Sequence, residues 1–552
     1  MRVVITRIVS AILLSMLAAA VAWAEIPRLV DNGNATQLIV GGKPFTMLAG
    51  ELHNSSASSL EYMEDVWDRL EKTPMNAVLL PVTWELLEPE EGRFEFALVD
   101  GLIEGAREHG LKLVITWFGT WKNGQSSYCP PWVKTDLARF HRARDAAGRN
   151  LNVVSTFSEA ALEADAKAYA ALMRHIREVD EARNTVVMMQ VENEVGLPGT
   201  ARDYSAPASE AFAGAVPGEL MSFLVREREA LLPETREIWG RNGFRESGTW
   251  AEVFGGSDDG HEVFSAWHYA RYIDRVAADG KEIYPLPMFV NAWLIDSPDS
   301  RPGVYLSGGP VSKMMDIWRA GAPHIDLLAP DIYLPDFKRV TSLFDRAGNT
   351  LFIPETTGDV WFPLDEVRVN EASRTVFWAL AEHDAIGFAP FGIEGIDLEA
   401  PLYRSYRVLA ELLPEIERHQ GTGDMRGILQ QGTETGRQVE LGGYTAQVSY
   451  GNRRGPHDRA YGLLINTGPD EFLIAGDGFT VAFTPVGDGP GQAGITEAWE
   501  WRHLDGKWVR ARRLNGDETA HDSRIALPPA TWDAFDDSLD PRVVRIKLFR
   551  HE

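Results

Sequence analysis

The 552-residue chain contains a single cysteine, Cys129, so no disulfide can form within it. Basic residues are outnumbered, because 54 Lys and Arg stand against 80 Asp and Glu, for a formal net charge of -26. Nucleic acids and anionic membrane surfaces bind proteins through clustered positive charge. The composition therefore argues against both as partners, and a neutral ligand fits the charge best.

Long apolar runs are missing after the first 24 residues. That N-terminal stretch carries Arg2 and Arg7, then an apolar segment at 8–21, then Ala-Trp-Ala ending at Ala24. The pattern predicts a secretory signal peptide that is cleaved after Ala24, and therefore a periplasmic or secreted protein. A membrane anchor is the alternative, but the apolar segment is short for a span. No cysteine follows to carry a lipid, so we expect no membrane insertion after cleavage.

Motifs for metals and nucleotide cofactors are also missing. The sequence has no His-Glu-x-x-His, no Gly-x-Gly-x-x-Gly and no phosphate-binding loop. We therefore predict no metal and no cofactor. The oligomeric state stays open.

Apolar strand-length runs alternate with amphipathic helical segments from about residue 46 to residue 418. This alternation predicts an α/β protein with a parallel sheet, and its eight units indicate a (β/α)8 TIM barrel at 25–420. Short β runs separated by Gly, Asp, Asn and Pro predict a small β-sandwich domain at 421–552. The stretch around 250–269 is expected to be an irregular insertion, with Asp258 and Asp259 in a solvated loop.

Two of the predicted strands end in glutamates. The apolar run 186–191 leads into Glu192, Asn193 and Glu194, and the run 350–354 leads into Glu355. A buried strand that simply ends in polar residues is the plain alternative for either one. Retaining glycoside hydrolysis, however, needs two carboxyl groups about 5–5.5 Å apart, and opposed strands of one barrel could supply them.

A family resemblance rests on Q-V-E-N-E-V-G at 190–196, together with Trp84 and E-P-E-E-G-R-F at 88–94. Residues 36–418 resemble glycoside hydrolase family 35, the β-galactosidases, in the clan that places its acid and nucleophile on barrel strands four and seven. The resemblance implies that Glu194 is the general acid/base and Glu355 the nucleophile. It also implies that Asn193 hydrogen-bonds the 2-hydroxyl of the sugar.

The chain departs from the family pattern at two places. Glu85 stands where typical members carry Asn, and Trp117 opens a W-F-G-T-W run where they carry Cys-Ala-Glu-Trp. These positions would read the outer hydroxyls of the sugar, so galactose specificity stays open. For any one of the sugar-binding candidates, structural packing or loop support is as good an explanation of its position as contact with a ligand. The candidates are Trp84, Glu85, Trp117, Asn291, Trp293, Tyr333 and Glu394.

The sequence thus predicts a retaining exo-β-galactosidase that removes terminal β-D-galactosyl residues from an oligosaccharide or other glycoside by double displacement. A retaining β-glycosidase for another β-linked sugar or wall oligosaccharide is the near alternative. A non-catalytic carbohydrate-binding protein is the distant one. The predicted C-terminal domain could bind glycan or only support the barrel.

Overall fold

A computed structural model describes residues 25–552 except 298, 359–370, 452–458, 488, 505–506 and 529–540. The predicted signal peptide at 1–24 lies outside the described residues. Its cleavage and the export of the chain stay predictions.

The first part of the chain alternates strands and helices. Its strands are β1 (Arg28–Asn32), β2 (Ala35–Val40), β3 (Lys43–Pro44), β4 (Met47–Leu48), β5 (Ala77–Thr83), β6 (Lys112–Lys122), β7 (Arg142–Arg144), β8 (Asn150–Val154), β9 (Val186–Asn193), β10 (Met288–Ala292), β11 (Leu327–Ile332), β12 (Glu355–Thr356) and β13 (Gly387–Phe388). Its α-helices are α1 (Leu60–Leu70), α2 (Trp84–Leu87), α3 (Ala97–Glu108), α4 (Pro131–Thr135), α5 (Glu159–Asp180), α6 (Ala206–Ala213), α7 (Gly218–Arg226), α8 (Pro233–Gly240), α9 (Trp250–Phe254), α10 (Asp258–Ile283), α11 (Met315–Gly321), α12 (Phe337–Phe344), α13 (Ala372–Glu382) and α14 (Pro401–His419). Short 3-10 turns lie at Ser56–Ser58, Ser312–Met314 and Ile393–Gly395.

Eight of these strands form a closed parallel barrel. The sheet order is β5-β6-β9-β10-β11-β12, and β13 pairs with β4. Backbone hydrogen bonds close the ring at both gaps: the Leu79 N–H donates to the Gly50 carbonyl at 2.9 Å, and the Ala389 N–H donates to the Ile353 carbonyl at 2.9 Å. The predicted (β/α)8 barrel is confirmed, with β9 as its fourth strand and β12 as its seventh.

The barrel strands are apolar throughout because both of their faces are buried. All residues of β5 and β9 are buried. Leu79 and Val187 pack in one apolar cluster with residues of the other barrel strands, whereas Leu80 and Val186 pack in the cluster that contains the helices. The continuous apolar runs of the sequence follow from this two-sided burial.

The prediction of an irregular insertion around 250–269 is wrong. This stretch belongs mostly to α9 and to the 26-residue helix α10, which packs against α5 and α11. Glycines and buried polar residues such as Ser265 and Asp274 interrupt its apolar face, which weakened the periodic signal. Asp258 and Asp259 lie in the first turn of α10, where the helix dipole favours negative charge, rather than in a loop.

The C-terminal part consists of two antiparallel sheets. Its strands are β14 (Met425–Leu429), β15 (Gly436–Leu441), β16 (Tyr444–Tyr450), β17 (Tyr461–Gly468), β18 (Glu471–Asp477), β19 (Phe479–Pro485), β20 (Gln492–Leu504), β21 (Lys507–Arg513), β22 (Ile525–Leu527) and β23 (Arg542–His551), with a 3-10 turn at Gly516–Thr519. One sheet has the order β14-β17-β18-β23-β20-β21 and the other β15-β16-β19-β22. Their facing side chains form one apolar cluster, as in a β-sandwich.

The strand β17 of the larger sheet packs against an apolar cluster on each of its faces. On β17, Leu464 points into the sandwich cluster, whereas Leu463 and Ile465 pack in the cluster of the barrel helices. Alternate residues of a strand face opposite sides of a sheet, so one apolar run serves two cores. The ring of Tyr461 also lies 5.3 Å from the ring of Phe377 on α13.

Candidate active site

The backbone bends sharply where β9 ends. Glu192 and Glu194 have φ values of 63° and 41°, in the left-handed region that residues other than glycine rarely adopt. Hydrogen bonds hold this strained turn in place: the Glu194 N–H donates to Asn291 Oδ1 at 2.9 Å, and the Gly124 N–H donates to the Glu194 carbonyl at 3.0 Å. Strain of this kind concentrates at functional sites.

Glu194 is almost fully buried, with 4% of its surface exposed. Asn123 Nδ2 donates to its Oε2 at 2.6 Å. Burial, and then the negative charge of Glu355, raise the pKa of Glu194 to about 7, although Lys122 and hydrogen bonds from Asp331 and Asn123 oppose the rise. A carboxyl group with this pKa can both hold and release a proton near neutral pH.

Glu355 opens β12, whose register places it opposite Asp331 on β11. The hydroxyl of Tyr333 donates a hydrogen bond to its Oε1. The other oxygen, Oε2, is buried and receives no hydrogen bond from an N–H group or a hydroxyl of the described residues. Among these donors, Tyr333 is therefore the one that holds this carboxyl group.

Two further carboxyl groups border Glu194 and Glu355. Glu51 follows the first barrel strand, Asp331 is the last but one residue of the sixth, and both are 2% exposed. Burial and then the charge of Glu355 raise the pKa of both groups well above the usual range. The site is thus a cluster of four carboxyl groups, here called the acid cluster, with the positive charge of Lys122 beside it.

Three of the predicted sugar-binding residues lie at or next to the acid cluster. Asn291 links its two sides, because its Nδ2 donates to Asp331 Oδ2 at 2.7 Å while its Oδ1 accepts from Glu194. Tyr333 bonds Glu355. Asn193 directly precedes Glu194, and both polar atoms of its buried amide lack a hydrogen-bond partner in the described structure.

Three more of the predicted residues follow the C-terminal ends of barrel strands. Trp293 is 44% exposed just after β10. Glu394 follows the eighth strand and accepts the backbone N–H of His53 at 3.0 Å. Glu85 forms an ion pair with Lys134 at 2.9 Å.

Trp84 and Trp117 are fully buried. Their indole N–H groups donate to Glu88 at 2.8 Å and to Asp165 at 2.9 Å. The structure therefore gives the indole N–H of each tryptophan a partner in the interior. Contact of either with a sugar stays a prediction.

Sequence reasoning missed several members of the site. Glu51 and Asp331 each follow a buried apolar run, as Glu194 and Glu355 do, and that shared position was the available signal. Lys122 and Asn123 gave no such signal, because Lys122 is the last residue of β6 and Asn123 follows it, beyond the apolar part of the strand.

A second buried acid pair lies behind the site. The carboxyl group of Glu192 accepts the backbone N–H groups of Thr120 at 2.9 Å and of Trp121 at 2.7 Å, and it hydrogen-bonds Asp165. Gly119 is required beside it, because a Cβ there would lie 2.7 Å from both carboxyl groups. This pair therefore fixes the end of β6, and with it Asn123 against Glu194.

Two family models match parts of the chain. Residues 37–238 match glycosyl hydrolases family 35. The match covers 202 of the 552 residues. It contains Glu194 and Asn193 but ends before Glu355, so the geometry alone connects Glu355 to the family 35 segment. Residues 402–526 match a domain of unknown function (DUF5597).

Individual relatives match parts of the chain. A β-galactosidase from Xanthomonas manihotis is 28% identical to the chain over 205 residues, which are 36% of this chain and 31% of that protein. The chain thus spans less than a third of that curated relative. A β-galactosidase structure from Bacillus circulans sp. alkalophilus has a TM-score of 0.44 at 14% identity, covering 68% of this chain and 57% of that one. A β-mannanase structure from the blue mussel Mytilus edulis has a TM-score of 0.41 at 14% identity, covering 70% and 97%.

Two features of the described residues bear on other roles. None of their helices combines the length and the apolar character that a membrane span needs. One group of side chains, Asp68, Glu71 and His109, has the spacing of metal ligands, but both acids are exposed on the surface of the family 35 segment.

Replacing Lys122 with methionine should move the alkaline limit of activity upward. Lys122 lowers the pKa of Glu194, so its removal raises that pKa further and keeps Glu194 protonated to higher pH. We expect the alkaline limb of the kcat/KM profile to rise by about half a pH unit or more. A Lys134→Met variant, which loses only the pair with Glu85, is the matched control. A limb that stays in place or falls would contradict the assignment.

Replacing Glu192 with alanine should destabilise the fold. Two buried N–H groups would lose their acceptor, which costs about 1–3 kcal/mol for each group. We expect the free energy of unfolding in denaturant to fall by about 3 kcal/mol. Glu192→Gln keeps one acceptor oxygen and should lose about 1 kcal/mol. Equal stability of the two variants would show that these hydrogen bonds do not hold β6.

Proposed function

We propose that this protein is a retaining exo-β-galactosidase, with Glu194 as general acid/base and Glu355 as nucleophile. The observation that carries the proposal is that both glutamates border one buried cluster, in which burial and the charge of Glu355 raise the pKa of Glu194 to about 7. The family 35 segment and the name of the Xanthomonas relative support the choice of reaction and sugar.

In the first step, the Glu355 carboxylate attacks the anomeric carbon and the bond to the leaving oxygen breaks. Glu194 donates its proton to that oxygen. Glycosylation removes the negative charge of Glu355, and the pKa of Glu194 falls because that charge had raised it. In the second step Glu194 accepts a proton from water, the water oxygen attacks the anomeric carbon, and the bond to Glu355 breaks.

The unpartnered amide of Asn193 supports a sugar-binding role, since a buried amide without hydrogen bonds is costly unless a ligand supplies them. The 2-hydroxyl is the group that the family resemblance implies for it. The exposed ring of Trp293 offers a surface for the apolar face of a sugar. The proposed reaction needs no metal and no cofactor.

A second candidate is the same chemistry on another β-linked sugar. The observation that favours it is the environment of Glu85 and Trp117, the positions that depart from the family pattern. Glu85 is engaged by Lys134 and Trp117 is buried in the core, so the outer hydroxyls would be read by other residues.

The test is a panel of aryl β-glycosides, with the anomeric form of the first product followed by NMR. Retention of configuration with the β-galactoside as the preferred substrate is the expected result. Preference for another glycoside would favour the second candidate. Inversion would contradict the nucleophile role of Glu355, and no turnover of any glycoside would favour a non-catalytic carbohydrate-binding protein.

The proposal includes export to the periplasm or the medium, on the basis of the residues at 1–24. We expect N-terminal sequencing of the protein from a cell fractionation to read Glu25 as the first residue. An intact Met1 on the mature chain would contradict cleavage.

A further inference from the structure

Glu51 is held firmly at the mouth of the barrel, although neither the motif nor the proposed reaction uses it. Its N–H donates to the Pro390 carbonyl at 2.8 Å, and its own carbonyl accepts the Ile393 N–H at 3.0 Å. Bridges to Leu79 and Phe391 place it between the first, second and eighth strands. The side chain is 2% exposed, so its carboxyl group has almost no access to water.

The carboxyl groups of Glu51 and Glu355 are in hydrogen-bond contact. Two ionised carboxylates cannot share such a contact, because they repel each other and neither has a proton to donate. One of the two groups must therefore carry a proton.

The surroundings show which group carries it. The Tyr333 hydroxyl donates to Glu355 Oε1, and a donor of this kind stabilises a negative charge on Glu355. Glu51 receives no side-chain hydrogen bond from an N–H or hydroxyl group of the described residues, and the nearby charge that favours its ionised form is that of Lys122. The proton therefore belongs on Glu51.

The total charge of the acid cluster leads to the same assignment. Nucleophilic attack needs an ionised Glu355, and acid catalysis needs a protonated Glu194. If Glu51 and Asp331 are also neutral, the single negative charge of Glu355 balances the single positive charge of Lys122. Any further ionised carboxyl group would leave a net charge in a buried site, which is costly.

We propose that Glu51 is a neutral positioning residue whose carboxyl proton is donated in a hydrogen bond to Glu355, fixing the attacking carboxylate. This inference rests on the proposed function, because it takes Glu355 as the nucleophile. Burial, and then the charges of Glu355 and Glu194, raise the pKa of Glu51, while Lys122 lowers it. Asp331 and Tyr333 are the other titratable groups that act on this part of the cluster.

The experiment compares Glu51→Gln with Glu51→Leu. Glutamine keeps a neutral hydrogen-bond donor at this position, whereas leucine removes it. Glu417→Gln is the matched control, because Glu417 bonds the N–H of Thr46 just before the same first strand, at its opposite end. Circular dichroism and thermal unfolding check that each variant is folded.

The first readout is inactivation by a 2-deoxy-2-fluoro-β-galactoside with a good leaving group, followed by peptide mapping. This reaction measures attack by the nucleophile and depends little on acid catalysis. We expect label on Glu355, at a rate within about 5-fold of the unchanged protein for Glu51→Gln and lower by about 10- to 100-fold for Glu51→Leu. Equal losses in the two variants would overturn the proposal.

The second readout is the pH profile of kcat/KM. If Glu51 is neutral, Glu51→Gln removes no charge, and the alkaline limb set by Glu194 stays within about 0.2 pH units. If Glu51 is ionised, the same substitution removes a negative charge beside Glu194, lowers its pKa and moves the limb to lower pH. A downward shift of half a unit or more would overturn the proposal even if the variant stays active.

A failure of the proposed function gives a different result. In that case the unchanged protein acquires no label on Glu355, whatever the residue at position 51. Infrared difference spectra between the unchanged protein and Glu51→Gln then decide the protonation of Glu51 alone. Loss of a protonated-carboxyl band supports the assignment, and loss of a carboxylate band overturns it.

Discussion

Replacing Glu355 with glutamine should abolish almost all glycosidase activity while leaving the fold intact. Glutamine has nearly the same shape and can keep a hydrogen bond with Tyr333. It cannot attack the anomeric carbon, so we expect kcat to fall on the order of a million-fold, as when an enzyme loses its nucleophile. The measurement is turnover of an aryl β-galactoside by purified protein, with a thermal unfolding curve beside it.

A chemical rescue separates this loss from a general defect. In Glu355→Gly the space of the side chain is free, and azide can enter on the face from which the carboxylate would attack. The product should then be the α-glycosyl azide, with inverted configuration. Glu417→Gln, at the other end of the barrel, should keep full activity. Turnover by Glu355→Gln close to that of the unchanged protein would remove Glu355 from the mechanism.

Replacing Glu194 with glutamine should reduce activity in a way that depends on the leaving group. For an alkyl or sugar leaving group, loss of the general acid should cost about 10²- to 10⁴-fold in kcat/KM. A dinitrophenolate needs no proton, so the first step with that substrate should change little. The second step still needs a base, and the glycosyl-enzyme should accumulate after a burst of dinitrophenolate.

The pH profile provides the control for Glu194. The pKa of Glu194 is raised to about 7, so the unchanged protein should be active below that pH and lose activity as Glu194 loses its proton above it. In Glu194→Gln this alkaline limb should disappear. Azide should rescue Glu194→Ala with formation of the β-glycosyl azide, since it then attacks the glycosyl-enzyme in place of water. A persistent alkaline limb in Glu194→Gln would assign the titration to another group.

The barrel was predictable because its signal is local and repeated. Strands such as β5 and β9 are buried on both faces and therefore apolar throughout. Helix α10 was not predictable in the same way, because its buried face includes glycines, Ser265 and Asp274, and tertiary packing against α5 supplies what the apolar pattern lacks.

The candidate site was predictable in part. Glu194 and Glu355 each end an apolar run, and the motif around Glu194 adds a family resemblance. The partners Glu51 and Asp331 depend on which strands are neighbours, and barrel closure decides that, not local sequence. The hydrogen bond from Asn123 depends in turn on the Glu192 pair, which extends β6 by several residues.

The strand β17 has a consequence for how the molecule holds together. Leu463 and Ile465 serve the barrel side while Leu464, between them, serves the sandwich. Unfolding of either half would therefore expose apolar side chains of the other half to water. A shortened chain that ended after α14 would expose apolar side chains of its helices to water. The C-terminal sheets therefore keep this face of the catalytic half buried.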